Sequence, residues 1–208
     1  MTIFNNSVSN NKMVPFLIYN IVEWHYERNL VHGSTDKDQM LKLVQESGEL
    51  ADNLANHLCI KDDIGDMLVV LINLMERSKV SVRECFTQLK SNPPLVDPNG
   101  KMGNTSFPVN IIDFLHFESR KMQFHAGMSM RMYLDISADL GVLSDRICKG
   151  KTDHYIYFGN IIRDLVILAE CNTLTIESCL EQAWNDIKDR KGMMVDGIFV
   201  KEADLKTN

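Results

Sequence analysis

Gln39-Met-Leu-Lys42-Leu-Val-Gln45-Glu46-Ser-Gly-Glu49-Leu50, and after a short break Asp63-Ile-Gly-Asp66-Met-Leu-Val-Val-Leu-Ile-Asn73-Leu-Met75, carry the two patterns that set the architecture. In the first stretch Met40, Leu41, Leu43, Val44, Leu50 and Leu54 recur at helical spacing, which predicts a helix from about Gln39 to His57. The second, Ile64 to Met75, is apolar nearly all round, as expected of a helix buried inside a bundle. Upstream, Leu17, Ile18, Ile21, Val22, Trp24 and Leu30 give the same period over Phe16 to Asn29, and Ser34, Thr35 and Asp36 offer N-caps for the helix that follows. Ser81-Val-Arg-Glu84 has the spacing of a capping box and predicts a short fourth helix.

Proline placement extends this reading to the whole chain. The five prolines are Pro15, Pro93, Pro94, Pro98 and Pro108, and the blocks 16–92 and 109–208 contain none. Helix interiors exclude proline, so the expected organisation is two helical units, 16–90 and 109–202, joined by the Pro/Gly/Asn-rich connector 91–108. β-Alternation is confined to Met193–Val200, where Asp196-Gly197 between apolar residues predicts a small C-terminal β-hairpin. The fold class is all-α.

The two units also match each other. With an offset of 94, Gly65, Leu71, Leu74, Glu76, Cys85 and Gln88 fall on Gly159, Leu165, Leu168, Glu170, Cys179 and Gln182; one residue less aligns Gly48 with Gly141 and Glu46 with Asp139. The order and spacing over about 90 residues predict a tandem duplication.

Chemistry concentrates in the first unit. Glu46 and Glu49 stand at i, i+3 on one helix and Asp63 and Asp66 do so on the next, and consecutive helices with a short connection pack antiparallel, so four carboxylates converge. A single acidic pair of this kind usually lines a solvated face. Here Asp66 is embedded in the most apolar helix, and the aligned positions of the second unit are Asp139, Val142, Tyr157 and Asn160. One unit therefore reads as active and the other as a degenerate scaffold. Crowded carboxylates need a cation, and all-oxygen donors point to Mg²⁺, with Mn²⁺ as the alternative. Gln39, Lys42 and Asn73 lie on the same faces. Trp24, His25 and Arg28 are candidates for a base pocket, with core packing the competing reading for Trp24.

These two acidic stretches, together with the tail Ala183–Glu202, resemble the MazG-like family of all-α nucleoside triphosphate pyrophosphohydrolases, whose signature is EExxE followed by ExxD. The resemblance covers about 17–89 and 155–202. It departs at Gln45, in place of the first Glu, and at Asp63, in place of the Glu of ExxD. It implies Mg²⁺-dependent hydrolysis of the α–β phosphoanhydride of (deoxy)nucleoside triphosphates to monophosphate and pyrophosphate. Glu46, Glu49 and Asp66 are then the catalytic metal ligands, with Asp63 as a weaker fourth. Gln39, Lys42, Asn73, Trp24, Arg28, Arg190 and Lys191 are substrate contacts, with Lys188 beside them. It further implies two MazG-like repeats in a helical bundle, the second (109–184) packing against the first (16–89) as a pseudo-dimer, and a homodimer that imitates a four-unit assembly. The alternatives are a dUTPase-like deoxynucleotide hydrolase and an inactive nucleotide sensor or scaffold.

Composition narrows the remaining possibilities. The chain has 208 residues and 22 Lys+Arg against 28 Asp+Glu, a net charge of −6, which argues against a nucleic-acid-binding surface. No apolar run approaches a membrane span and the first residues lack a signal-peptide core. The five cysteines form no CxxC pair and read as reduced core thiols. The expectation is a cytoplasmic protein.

Overall fold

The structure, a computed structural model, describes residues 13–81 and 127–205. Its helices are α1 (Met13–Glu27), α2 (Leu30–Gly33), α3 (Asp36–Ala55), α4 (Lys61–Arg77), α5 (Met128–Cys148), α6 (Tyr155–Cys171) and α7 (Ile176–Ile187). Strands β1 (Gly192–Val195) and β2 (Ile198–Lys201) and the single turn α8 (Glu202–Leu205) complete the described chain. The fourth helix expected after Ser81, the connector 91–108 and the start of the second unit lie outside the described residues.

Helix α4 is the centre of the bundle. Every residue from Met67 to Met75 is buried, the outcome expected of its continuous apolar run. It packs against α1, α3, α6 and α7. The approach of α7 is close because position 65 is glycine: a Cβ there would collide with the Cys179 carbonyl and stand 2.8 Å from Ala183 Cβ. Thr35 supplies the N-cap of α3, its hydroxyl accepting from the Asp38 N–H while the Asp38 carboxylate accepts from the Thr35 N–H, a reciprocal capping box.

The helix pairs α3–α4 and α5–α6 end alike. Past α3, His57 is left-handed (φ 57°) and the Leu58 N–H reaches the Asn53 carbonyl. Past α5, Gly150 (φ 64°) and the Lys151 bond to Arg146 do the same at positions 93 residues on. Past α4, Lys79 (φ 54°) and the bond from Val80 to Met75 recur as Thr173 (φ 59°) and the bond from Leu174 to Ala169, now 94 residues on. All four are Schellman-type endings, which satisfy otherwise orphaned carbonyls. Helices α4 and α6 also begin and end 94 residues apart.

The hairpin forms where the tail pattern places it, Met194 opposite Phe199. Asp196 (φ 50°) and Gly197 (φ 83°) both take positive φ, as a two-residue turn of the primed type requires. Of the described cysteines all are free, but only Cys179 is buried in the core; Cys59 is exposed in the α3–α4 connection and Cys148 at the end of α5 rather than packed inside. No helix among the described residues is long and apolar enough to cross a membrane.

Candidate functional site

The acidic residues meet in two neighbouring groups between α3 and α4. In the first, Glu46 is almost fully buried and forms an ion pair with Lys42, one turn earlier on α3. Across from it on α4 stands Asp66, whose carboxyl is pushed up to about 7, by burial first and then by the charges of Glu46 and Asp62. Arg190 and Lys42 pull in the opposite direction without offsetting these effects. In the second group, Asn53 Nδ2 donates to both oxygens of the buried Asp63 at 2.9 Å. Burial raises the Asp63 pKa, the Asn53 hydrogen bonds oppose that rise, and the Glu49 charge adds to it. Glu49 itself is exposed and accepts from Gln45 Nε2 at 3.0 Å. Gln45 thus serves as a hydrogen-bond donor to a neighbouring carboxylate.

As they are placed, no three His, Cys, Asp or Glu side chains among the described residues stand close enough together to share one metal ion. Lys42 holds the carboxylate of Glu46, and Asn53 holds that of Asp63. The donor set nevertheless fits a hard divalent cation. It consists of carboxylates alone, the oxygen donors such a cation takes, and the carboxyl of Asp66 is raised by burial first and by its acidic neighbours second.

Two residues that the sequence pattern did not mark join this region. Asp62 and Asp186 bring their carboxyls within hydrogen-bond reach of each other across the α4–α7 contact, and burial together with that contact raises the Asp62 pKa. They meet because Gly65 packs on Ala183, so that one turn back along α4 faces one turn on along α7. No periodicity could have announced this pairing, since it depends on a helix crossing more than a hundred residues away in sequence.

The substrate-contact candidates divide into an inner and an outer set. Asn73, two turns beyond Asp66 on α4, is fully buried with both amide atoms unpartnered. Gln39 is buried and donates to the Ser34 hydroxyl at 3.0 Å. His25 is buried and its pKa is driven down to about 3, by burial and then by Arg28, leaving a neutral imidazole whose Nδ1 has no partner. Trp24 and Arg28, by contrast, engage the C-terminal segment. Trp24 Nε1 donates to the Ile187 carbonyl at 2.8 Å, and Arg28 donates to the carbonyls of Arg190 (3.0 Å) and Lys188 (3.5 Å). Phe199 of the hairpin meets the Trp24 ring edge-on at 5.7 Å. The tail does fold back, and it carries the Arg190 charge to Asp66. Lys191 is exposed beside it, and Lys188 Nζ donates to Asn185.

The corresponding place between α5 and α6 is built differently. Asn160 and Asp139, which align with Asp66 and Glu46, again face each other, with Asn160 Nδ2 donating to Asp139 at 3.4 Å. Val142 is exposed where Glu49 stands in the first pair, and Tyr157 replaces Asp63. A cation is paired there within α6: the Arg163 guanidinium donates to the buried Asp164 carboxylate at 2.8 and 3.1 Å.

The class defined by these observations is an all-α bundle with an acidic cluster between two adjacent helices. Over 66 residues the chain is 42% identical to an uncharacterized 18.2 kDa protein from the rep-hol intergenic region of Haemophilus phage HP1 (strain HP1c1), a match spanning 31% of this chain and 40% of that protein. The chain therefore covers about two fifths of that relative's length. No family model matches the sequence. No solved structure matches it.

Proposed function

We propose that the protein is a Mg²⁺-dependent nucleoside triphosphate pyrophosphohydrolase of MazG-like type, cleaving the α–β phosphoanhydride to give the monophosphate and pyrophosphate. The observation that carries this reading is the crowding of Glu46 and Asp66 across α3 and α4, with Glu49 and Asp63 one turn away and cations only at the rim.

Glu46, Glu49, Asp63 and Asp66 are the residues that would hold Mg²⁺ or Mn²⁺. A bound divalent cation supplies charge stabilisation for phosphoryl displacement and acidifies a coordinated water. A cation taken by Glu46 would free the Lys42 ammonium, now paired with that carboxylate, for the polyphosphate. Arg190 offers a second cation from the tail. Glu49, exposed and accepting from Gln45, would orient the attacking water. The inner amides of Asn73 and Gln39 and the neutral imidazole of His25 are suited to neutral, hydrogen-bonding groups of a nucleoside, because they are buried and uncharged.

The matched helix endings and the 94-residue repeat of α4 in α6 support a tandem duplication in which the second pair is a scaffold, its cation requirement met by Arg163. Exposed Leu41 and Leu134, 93 residues apart on equivalent outer faces, support a homodimer that covers both. Free cysteines agree with a cytoplasmic setting.

A second reading is a nucleotide-binding protein without turnover. The engagement of Glu46 by Lys42 and of Asp63 by Asn53 favours it. Product analysis separates the two: pyrophosphate released with Mg²⁺ and lost in Glu49→Gln supports hydrolysis, whereas nucleotide binding without product supports the second reading.

A further inference from the structure

The end of α7 is held in an unusual way. Its last carbonyls are among those that a helix leaves without internal partners. Here the Ile187 carbonyl, which also accepts from the Arg190 N–H, is taken by Trp24 of α1, and the carbonyls of Lys188 and Arg190 just beyond α7 are taken by Arg28, the residue after α1. Trp24 Nε1 donates to Ile187, and the Arg28 guanidinium spans the carbonyls of Lys188 and Arg190. The guanidinium lies 4.6 Å from the Trp24 ring centroid, stacked in the cation–π arrangement, while Phe199 closes the ring's other approach edge-on. Farther along the tail, the hairpin turn presses on α3, where a Cβ at Gly197 would stand 2.9 Å from the Asp38 carboxylate. The segment 187–201 is thereby clamped at both ends.

Between the clamps, Arg190 has its backbone bound by Arg28 while its side-chain charge acts on Asp66. We infer that Arg28 is a positioning residue. By gripping the backbone of Lys188 and Arg190 it aims the Arg190 guanidinium at the Glu46–Asp66 cluster, where that guanidinium contacts the polyphosphate of a bound substrate. The inference rests on the pyrophosphohydrolase reading. It differs from a direct role for Arg28 in substrate binding, because Nε and Nη2 of Arg28 donate to the two carbonyls and Nη1 pairs with the Glu27 carboxylate at 3.2 Å.

Lysine cannot replace arginine in this task. A single ammonium on a flexible stem keeps the charge but cannot fork between two carbonyls while stacked on an indole. The test is calorimetric binding of inorganic tripolyphosphate with Mg²⁺ to the full chain, comparing wild type, Arg190→Ala, Arg28→Ala, Arg28→Lys and the double alanine variant, each with its melting temperature. Arg190→Ala and Arg28→Ala are each expected to weaken binding about tenfold, and the double variant no more than either alone, because both remove the same contact. Arg28→Lys should be as weak as Arg28→Ala. Additive losses approaching a hundredfold, or near-normal binding in Arg28→Lys, would show that Arg28 touches the anion itself and overturn the inference. Unchanged affinity in Arg28→Ala with a lowered melting temperature would reduce Arg28 to a structural cap and overturn it as well. Trp24→Phe, which keeps a ring but removes the donor to Ile187, gives a milder loosening should Arg28→Ala not fold, and it too is expected to weaken binding. Absence of tripolyphosphate binding by the wild type would instead defeat the underlying functional reading.

Discussion

Replacing Asp66 by asparagine in the metal-free protein should stabilise it at alkaline pH and do nothing at acid pH. In the fold the Asp66 carboxyl rises from its ordinary 3.8 to about 7 because burial, Glu46 and Asp62 all disfavour its ionised form. The folded state therefore holds the proton more tightly than the unfolded chain. The stability this gives is complete below about pH 4 and is lost progressively as pH rises through about 7. At about 1.4 kcal/mol per pH unit the full loss is roughly 4 kcal/mol, and access of water to the half-buried carboxyl reduces this to about 2–3 kcal/mol. Asparagine keeps the shape and never ionises, so the variant escapes that loss. In chelator-treated protein at pH 8 its melting temperature should exceed that of the wild type by about 5–10 °C, and the gap should close as pH falls toward 4. Added Mg²⁺ should reverse the order at pH 8, since it stabilises the ionised wild-type cluster. A variant less stable than the wild type at pH 8 without metal would refute the reasoning, because it would mean that Lys42 and Arg190 already neutralise Asp66.

Other perturbations test separate parts of the account. Asn73→Leu removes a buried amide with no partner, so denaturant unfolding should show a gain of about 1–3 kcal/mol while nucleotide turnover falls. Gly65→Ala drives a methyl group into the Cys179 carbonyl and Ala183, and should cost about 1–3 kcal/mol by the same measurement and weaken activity through displacement of α7. Glu49→Gln should abolish Mg²⁺-dependent turnover with helix content unchanged by circular dichroism; retained turnover would remove Glu49 from the site. Asp139→Asn alters only the equivalent place between α5 and α6 and should leave the rate within about twofold, whereas a dead but folded variant would contradict the division into active and scaffold pairs.

The parts of the molecule governed by local pattern were legible in the chain. The apolar period announced α1, α3 and α4, the capping residues before α3 included Thr35, and Asp196-Gly197 marked the hairpin. The facing of Glu46 and Asp66 followed from helical spacing and a short connection. What escaped was governed by contacts distant in sequence. Asp186 meets Asp62 through a glycine-permitted helix crossing. Trp24 and Arg28 look like ligand contacts when read as an aromatic and a cation on one helix, yet their donors are directed to the carbonyls ending α7. Cys59 and Cys148 have apolar neighbours in sequence, but one is exposed in the α3–α4 connection and the other at the last position of α5. Side-chain engagement was also beyond the pattern: spacing places four acids on facing surfaces without showing that Lys42 and Asn53 hold two of them.

The central claim is a hydrolytic one, and a product-resolved screen of ribo- and deoxynucleoside triphosphates with Mg²⁺ or Mn²⁺ tests it most directly, with Glu46→Gln as control. The account predicts nucleoside monophosphate and pyrophosphate in equal amounts from at least one nucleotide, and none from the variant. Orthophosphate as the product, equal turnover by the variant, or no turnover with any nucleotide would contradict it.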